Sequence, residues 1–465
     1  MSNRDPEVAY EEPKSTPSVL DKVFHAAFVI ALGMLLFLAG SILTIGNIFP
    51  GPQITRAVEG GAALYTKLTQ YRDVYTSDLW FEERRKEKAV TVNKSGRAMK
   101  GVTLYTSGDQ AAAYLLDMDG KVLHSWKKPY SSVWTKQPGG VQNPLPDEHV
   151  YFRKAHVFPN GDLLALYEGS GDTPYGYGLV KLDRDSNVIW SYMGYAHHQF
   201  DIAPDGKVYV LTHELVNDEI DYFGHLARPR LEDYLVILSP DGRELKKIRL
   251  LTSFTESPFR QILYTVAGFA LEDPLHTNTV EYIDGESARN FAFGKEGQVL
   301  LSFRELHSIA VIDPESEEIT WATRGPWIGQ HDPDILPNGN ILLFDNFGNH
   351  RRPEGVSRVI EFDPKTMEIV WQYAGTAKDP LDSHIRSDQQ RLANGNTLIT
   401  ESDGGRIVEV TPEGEIVWEY VNPVRGKNNK IPIVSWSERL DPSELDPALL
   451  DVPQARLESQ MEASL

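Results

Sequence analysis

The chain opens with one long apolar segment and then changes to short runs in which hydrophobic and polar residues alternate. Residues 23–45 carry no formal charge, and about 20 apolar residues are enough to cross a hydrocarbon core. A cleaved signal peptide is the competing interpretation, but its apolar core is shorter. We therefore predict an uncleaved transmembrane helix over 23–45, preceded by a tail at 1–22.

Basic residues on the two sides of this segment predict its orientation. Arg4, Lys14 and Lys22 precede the segment, whereas only Arg56 follows it closely. Because Lys and Arg accumulate on the cytoplasmic side of a span, we expect a cytoplasmic N terminus. The rest of the chain would then lie on the periplasmic or extracytoplasmic side of the cell inner membrane, held by a single helix.

Residues 46–100 are predicted to form a helical stem or linker. Leu64, Leu68 and Tyr71 follow one helical face. The charge run EERRKEK at 82–88 is typical of a solvated helix surface. We expect this stem to lift the main domain away from the membrane.

From residue 101 to 423 the sequence repeats a unit of strand, Asn-Gly or Asp-Gly turn, strand, loop, strand, turn and strand. Such turns suit two-residue hairpins, and four antiparallel strands repeated radially form a β-propeller blade. The six copies begin at Val102, Ala155, His198, His276, His331 and Ser387. The predicted fold is therefore all-β, a six-bladed β-propeller, with loop insertions at 134–150 and 253–273.

Composition narrows the function. The 465 residues carry 46 Lys and Arg against 66 Asp and Glu, a formal net charge of -20, which argues against a nucleic-acid partner. The chain has no cysteine, which excludes disulfides, thiolate metal sites and thiol catalysis. Residues 424–465 are predicted to form an acidic C-terminal tail.

Histidines recur at related positions of the repeat. His198 and His331 each stand six residues before the proline of their turn, so they share a register, and His276 opens the corresponding strand of another blade. His156 and His384 are out of that register. Because equivalent positions of a propeller form a ring around its axis, we expect the first three to meet at one mouth of the axial channel.

Four segments carry a resemblance to a known family. They are AHHQFD from Ala196, HTNTVEYID from His276, LLSFRELHSIAVID from Leu300 and QHDPDILPNGNILLFDNFGN from Gln330. In this order on a six-bladed pattern, they make the region from 101 to 423 resemble the bacterial arylsulfate sulfotransferases, or arylsulfotransferases. The resemblance implies a periplasmic propeller that moves a sulfuryl group from a phenolic sulfate ester to a phenol. It also implies a ping-pong route through a sulfohistidine, without a nucleotide sulfate donor or any other cofactor.

The resemblance further implies four catalytic and two substrate-binding residues. They are His331 as nucleophile, His276, His198 and Arg304 as catalytic partners, and Asn278 and His197 as substrate contacts. Asn278 could instead position His276. Neutral imidazole is a competent nucleophile near neutral pH, and a guanidinium offers a fixed fork of donors to sulfuryl oxygens. Either His198 or His276 would carry the phenol proton. Which of the adjacent His197 and His198 faces the channel stays open, although the register with His331 favours His198.

Alternatives remain. A metal site built from the histidines and Asp201 finds no supporting spacing such as HExxH, so no metal is expected. A non-catalytic propeller acting as a structural or docking subunit of a larger membrane complex fits the anchor, stem and acidic tail. A quinone-dependent dehydrogenase shares the propeller but not the expected tryptophan-docking motif. Expected partners are a small aryl sulfate, a phenol and the membrane, with a membrane-protein partner or a homo-oligomer compatible with the anchor.

Overall fold

The computed structural model describes residues 18–46, 48–51, 53, 73–137, 139–350 and 355–450. The chain divides into two compact units, residues 1–72 and 73–465. The expectations for the tail at 1–17, for the helix face at Leu64, Leu68 and Tyr71, and for residues 451–465 lie outside the described residues.

The first unit contains helix α1, Val19–Ile45. It begins four residues before the predicted span because Ser18 and Asp21 form a capping box, in which each side chain accepts a hydrogen bond from the backbone of the other residue. None of its residues is buried against protein. The helix is long and apolar enough to cross a membrane.

In its described residues, the second unit consists mainly of short strands with one short α-helix. The strands are β1 Trp80–Glu82, β2 Ala89–Asn93, β3 Val102–Ser107, β4 Ala112–Leu116, β5 Val122–Lys127, β6 Val150–Val157, β7 Leu163–Gly169, β8 Gly176–Leu182, β9 Val188–Tyr192, β10 Ala196–Ile202, β11 Val208–Val216, β12 Arg230–Leu238, β13 Glu244–Arg249, β14 Thr277–Tyr282, β15 Val299–Phe303, β16 Ser308–Ile312, β17 Ile319–Arg324, β18 His331–Ile335, β19 Ile341–Asp345, β20 Arg358–Asp363, β21 Glu368–Tyr373, β22 Gly375–Thr376, β23 Asp379–Pro380, β24 Asp388–Arg391, β25 Thr397–Glu401, β26 Arg406–Val410, β27 Ile416–Val421, β28 Lys430–Pro432 and β29 Val434–Leu440. The helix is α2, Leu250–Thr255.

Six antiparallel sheets correspond to the six sequence repeats, which confirms the predicted six-bladed propeller. Their strand orders are β29-β3-β4-β5, β6 to β9, β10 to β13, β14 to β17, β18 to β21 and β24 to β27. The innermost strands β6, β10, β14, β18, β24 and β29 contact one another in a closed ring. Side chains at equivalent points of these strands therefore approach one another around the axis.

The recurring tryptophan of the outer strand links neighbouring blades. Trp126, Trp190 and Trp371 donate their indole N–H to backbone carbonyls in the turn of the next blade, at 3.1, 3.2 and 2.8 Å. Trp418 of the last blade donates to Met118 O of the first at 2.9 Å. Buried indole groups normally find such a partner, so one repeated residue fixes the spacing of several blades.

The C-terminal segment contributes to the ring, so the prediction of a tail from residue 424 is wrong over β29. This strand pairs with β3, placing Trp436 opposite Thr106. Its charged residues disguise it in the sequence, yet Arg439 is buried and bonds Glu409 at 3.2 Å. The first blade is thus completed by a strand from the C-terminal segment, and this strand closes the ring of innermost strands.

The helical prediction is also wrong over residues 80–93. Strand β2 pairs with β27 as a fifth strand of the last blade, and β1 pairs with β28. The alternating valines of AVTVN suit a strand. In the charge run, Arg84 bonds Glu401 at 2.6 Å and Arg85 bonds Asp379, so these charges are anchored to the last blade and not arranged on a helix surface.

Candidate active site

The same irregularity occurs at the start of three consecutive blades. The pairing of the first strand shifts register between His197 and Phe200 in β10, between Thr277 and Thr279 in β14, and between His331 and Asp334 in β18. A bulge bends a strand and re-aims its side chains. The backbone takes positive φ values of 55° at His198, 44° at His276 and 53° at Asp332. These bulges turn histidines of neighbouring blades towards one another.

A cavity of about 310 Å³ lies where these side chains meet. The ring centroids of His198 and His276 are 5.0 Å apart, and those of His198 and His331 are 6.4 Å apart. Arg304 also lines the cavity. The structure therefore brings together all four residues predicted to be catalytic, from three different blades.

The tautomer of His331 follows from its neighbour Asn346. The Asn346 amide nitrogen donates to Ser383 O at 2.9 Å and to Arg386 O at 3.1 Å. Its Oδ1 therefore faces His331 Nδ1, at 2.8 Å. A carbonyl oxygen only accepts, and Gly329 O is a second acceptor at 3.1 Å, so Nδ1 carries the proton. In the neutral ring, Nε2 then presents its lone pair on the cavity side.

Burial keeps this imidazole neutral. His331 is 2% exposed, and burial, reinforced by the positive charges of Arg304 and Arg153, holds its pKa well below the ordinary value. The Arg304 side chain is 19% exposed, and its Nη1 donates to Glu305. A neutral imidazole beside guanidinium groups suits an anionic ligand.

His276 has the opposite electrostatic character. Its Nδ1 contacts Asp273 Oδ2 at 2.6 Å. Burial opposes protonation, but the Asp273 carboxylate outweighs it and raises the pKa of His276 above the ordinary value. Asp273 is the last residue of the predicted loop insertion at 253–273, so this insertion supplies a charge partner to the cavity. The pair therefore favours the protonated form of His276 next to His198, whose burial favours the neutral form.

The adjacent histidines occupy different positions. His198 lines the cavity, whereas His197 is fully buried behind it. Their Nδ1 atoms are 2.8 Å apart, because the bulge lets two consecutive side chains approach each other. Burial lowers the pKa of His197 to about 3 and that of His198 well below its ordinary value.

Asn278 is not part of the cavity lining. It is 2% exposed, and its amide nitrogen donates to Gln330 O at 2.7 Å. This bond crosses from β14 to the residue before His331. We expected Asn278 and His197 to contact substrate directly. In the structure, both side chains lie behind the cavity wall and support residues that line it.

Several cavity residues were not predicted. Arg153 and Tyr175 line it, and Arg386 does so while donating to Tyr151 Oη at 3.0 Å and to Asp78 Oδ2 at 2.7 Å. Asp78 comes from the predicted stem, so this segment forms part of the wall. The Tyr175 ring packs against His198 and His276, at centroid distances of 5.3 and 5.8 Å. Arg153 stands six residues before Pro159, the register that identified His198 and His331, so the repeat could have revealed it. Tyr175, Arg386 and Asp78 carry no such signal.

One group of side chains has the composition of a metal site. Single ligand atoms of His197, His213 and Asp233 lie within 4.8 Å of one another. However, His213 Nε2 accepts the Gly176 N–H at 3.1 Å, so the neutral ring carries its proton on Nδ1. Neither nitrogen of His213 then offers a free lone pair, and the donor set does not suit a metal ion.

No curated protein matches the chain. Three similar solved structures are distant from it in sequence. A protein of unknown function from Bacteroides caccae is 14% identical over 72% of this chain and 99% of its own, with a TM-score of 0.43. A streptogramin B lyase is 13% identical over 75% and 87%, with a TM-score of 0.39. The propeller domain of Cps50 (Swd1) from Myceliophteria thermophila is 11% identical over 73% and 88%, with a TM-score of 0.40.

A sequence model of arylsulfotransferase (ASST) matches residues 154–423. This range is more than half of the chain and contains all four clustered catalytic candidates. It covers strands β10 to β21 and β24 to β27 completely and most of the blade β6 to β9. The chain therefore belongs to the arylsulfotransferase (ASST) family.

Proposed function

We propose that this protein is a membrane-anchored arylsulfate sulfotransferase that transfers a sulfuryl group between phenols through a sulfated His331. The observation that carries the proposal is the fixed tautomer of His331, whose Nδ1–H is held by Asn346 while Nε2 remains available. Family membership supports the reaction class. No feature of the described part of the chain favours the alternative of a non-catalytic docking subunit.

In the first half-reaction, the lone pair of His331 Nε2 attacks the sulfur atom of the aryl sulfate. The S–O bond breaks, and its electron pair leaves with the phenolate oxygen, which takes a proton from His198. The sulfated ring keeps its Nδ1–H and becomes cationic, so the Asn346 carbonyl oxygen gains a charge-assisted bond. This bond stabilises the sulfated ring, which can still pass its sulfuryl group to a phenol.

In the second half-reaction, the oxygen of the acceptor phenol attacks the same sulfur atom. The S–N bond breaks and returns its electron pair to His331 Nε2, while His198 takes the phenol proton. Each half-reaction is an in-line exchange at one sulfur atom, the logic of covalent catalysis. The two proton transfers balance over one turnover.

Arg304 and the His276 imidazolium stabilise the transferring group. Negative charge develops on three sulfuryl oxygens as the group moves, and fixed donors aimed at such charge contribute on the order of 3 kcal/mol each. Because Asp273 holds the proton on His276, we assign this ring a constant charge and assign the mobile proton to His198.

The direct assay is incubation with 4-nitrophenyl sulfate and a second phenol. We expect release of the coloured phenolate that depends on the acceptor, together with formation of the acceptor's sulfate ester. Purified protein that shows neither product, with His331→Ala as the background control, would contradict the proposed function.

We further propose that the propeller lies outside the cytoplasm, anchored in the inner membrane by α1. The basis is the excess of Lys and Arg before the helix. A reporter that is active only in the cytoplasm, fused after Leu465, should be silent, and the same reporter fused before Met1 should be active. The reverse pattern would refute this orientation.

A further inference from the structure

A line of buried side chains leads away from the cavity behind His198. His198 Nδ1 meets His197 Nδ1 at 2.8 Å. On the other side of the same ring, His197 Nε2 lies 3.5 Å from Asp233 Oδ1. Both atoms are buried, and among the described residues neither forms a hydrogen bond, even with the other. Catalytic hydrogen bonds are often long before substrate binds and shorten in the complex. The line ends in the protein interior.

We propose that Asp233 and His197 form a proton relay that switches His198 between a general base and a general acid. The proposal rests on the sulfuryl transfer proposed above, and it gives a role to two residues that do not touch substrate. Asp233 stores the proton that each phenol releases, and His197 passes it along. His198 is the only member of the relay that lines the cavity.

The relay conserves protons. In the base state, His198 has a free Nε2, its Nδ1–H donates to His197 Nδ1, and His197 Nε2–H faces the Asp233 carboxylate. When Nε2 takes the proton of the acceptor phenol, the Nδ1 proton of His198 moves to His197, and the Nε2 proton of His197 moves to Asp233. The acid state returns the proton to the leaving phenolate by the reverse transfers. No covalent bond other than N–H and O–H changes in the relay.

The surroundings of the relay favour storage of the proton on the Asp233 carboxyl group. A buried imidazolium is disfavoured at His197 and His198. In contrast, burial and the negative charge of Asp273 raise the pKa of Asp233 to about 7, so this group can hold or release a proton near neutral pH. Transfer to Asp233 therefore avoids placing a positive charge on either ring.

The groups packed around the relay fix its direction. His213 of β11 is the cross-strand partner of Asp233 and stacks on His197, with ring centroids 4.3 Å apart. Asp233 Oδ2 accepts the Thr277 N–H at 2.7 Å, which leaves Oδ1 for His197. The titratable and charged groups facing the relay from neighbouring segments are Tyr175, Asp273, His276, His213, Glu168, Arg153 and His331.

The test compares donors whose leaving groups differ in basicity. In Asp233→Asn the relay has no carboxyl group that can take up the proton. With phenyl sulfate, whose basic leaving group needs a proton, we expect sulfation of His331 to slow by about 10²-fold. With 4-nitrophenyl sulfate, whose leaving group is weakly basic, we expect a loss below about threefold. His197→Gln should show the same dependence, which covers the case in which one variant fails to fold.

The control is Asp201→Asn, which removes a carboxyl group from the strand of His197 but outside the relay. Asp201 accepts the Tyr282 N–H at 2.7 Å, and we expect this variant to show the donor dependence of the parent. Equal losses with both donors in Asp233→Asn and His197→Gln would assign these residues a purely structural role and overturn the relay. One bound metal equivalent in the parent, lost in Asp233→Asn, would overturn it as well.

A second readout does not need activity. In full-length protein labelled with ¹⁵N-histidine, the relay predicts that the proton of His198 changes ring nitrogen as Asp233 titrates, and that Asp233→Asn abolishes this change. A parent protein without transferase activity would refute the proposed function, whereas the ¹⁵N titration would still test the relay. A His198 tautomer that does not respond to Asp233 would overturn the relay even in an active enzyme.

Discussion

Asn346 Oδ1 and His331 Nδ1 lie 2.8 Å apart behind the cavity wall, and the two carbonyls that accept from the Asn346 amide leave only one arrangement of their protons. Asn346 stands at the end of the strand next to the one that begins with His331. A hairpin therefore brings together the proposed nucleophile and the residue that fixes its tautomer, so the Nε2 lone pair is available before substrate binds.

Removal of the Asn346 amide should impair the chemistry more than binding. Asn346→Leu leaves both His331 tautomers accessible and removes the acceptor for the cationic adduct, so we expect kcat to fall on the order of 10²-fold with a small change in KM. The matched control is Asn340→Ala, in the exposed turn of the same hairpin, where the amide only bonds Glu361. A kcat equal to that of the parent would show that the tautomer is not set by Asn346.

Arg304→Lys should lower the transfer rate far more than is usual for a substitution that keeps the charge. Lysine keeps the charge but loses the planar fork that matches sulfuryl oxygens. The loss should appear in kcat and kcat/KM together, at about one to three orders of magnitude, with little change in thermal stability because the side chain lines a cavity. Arg289→Lys, on the surface, is the control. An Arg304→Lys enzyme as active as the parent would place this residue outside the reaction.

The Asp273–His276 pair should set the alkaline limit of activity. Because Asp273 raises the pKa of His276, the imidazolium persists below that raised pKa and is lost as pH rises through it. In Asp273→Asn the decline of kcat/KM should move to lower pH, with a loss of about tenfold or more at pH 8 and a smaller one at about pH 5.5. A decline that stays at the same pH would exclude His276 as the titrating group.

Sequence periodicity was sufficient to predict the six blades but not every strand. The six repeats and the shared register of His198 and His331 predicted the fold and the clustering of the catalytic candidates. Strand β29 and the strands of residues 80–93 were missed because their charged residues pair with distant partners, as Arg439 does with Glu409. Local composition cannot reveal a charge that is neutralised by a residue far away in the sequence.

The site shows the same limit. Asn346 directly follows a hydrophobic run, but its role depends on the carbonyls of Ser383 and Arg386 in the segment before the next blade, so sequence alone does not identify it. Asp273 lies in an insertion without repeat counterparts. The bulges also placed both His197 and His198 in one network, whereas a regular strand sends adjacent side chains to opposite faces. Register predicts which residues approach the axis, and only tertiary structure shows which atoms they present.

Carboxyl groups near the axis predict a pH-dependent stability. Burial raises the pKa of Glu438 from 4.5 to about 7, so between these two values the folded protein holds a proton that the unfolded chain has released. Stability should therefore fall as pH rises through this window. Glu438→Gln should raise Tm at pH 8 by on the order of 2–4 °C and change it little below the window, as measured by thermal unfolding. An equal change at both pH values would contradict this assignment.

The central claim is that His331 Nε2 carries the sulfuryl group. The protein is mixed with excess 4-nitrophenyl sulfate without acceptor, quenched under alkaline conditions that preserve a sulfohistidine, and digested for mass spectrometry. The account predicts one SO₃ adduct on His331, absent from His331→Ala and discharged when a phenol is added before the quench. An adduct on His276 or His198, or an active enzyme that never carries an adduct, would contradict it.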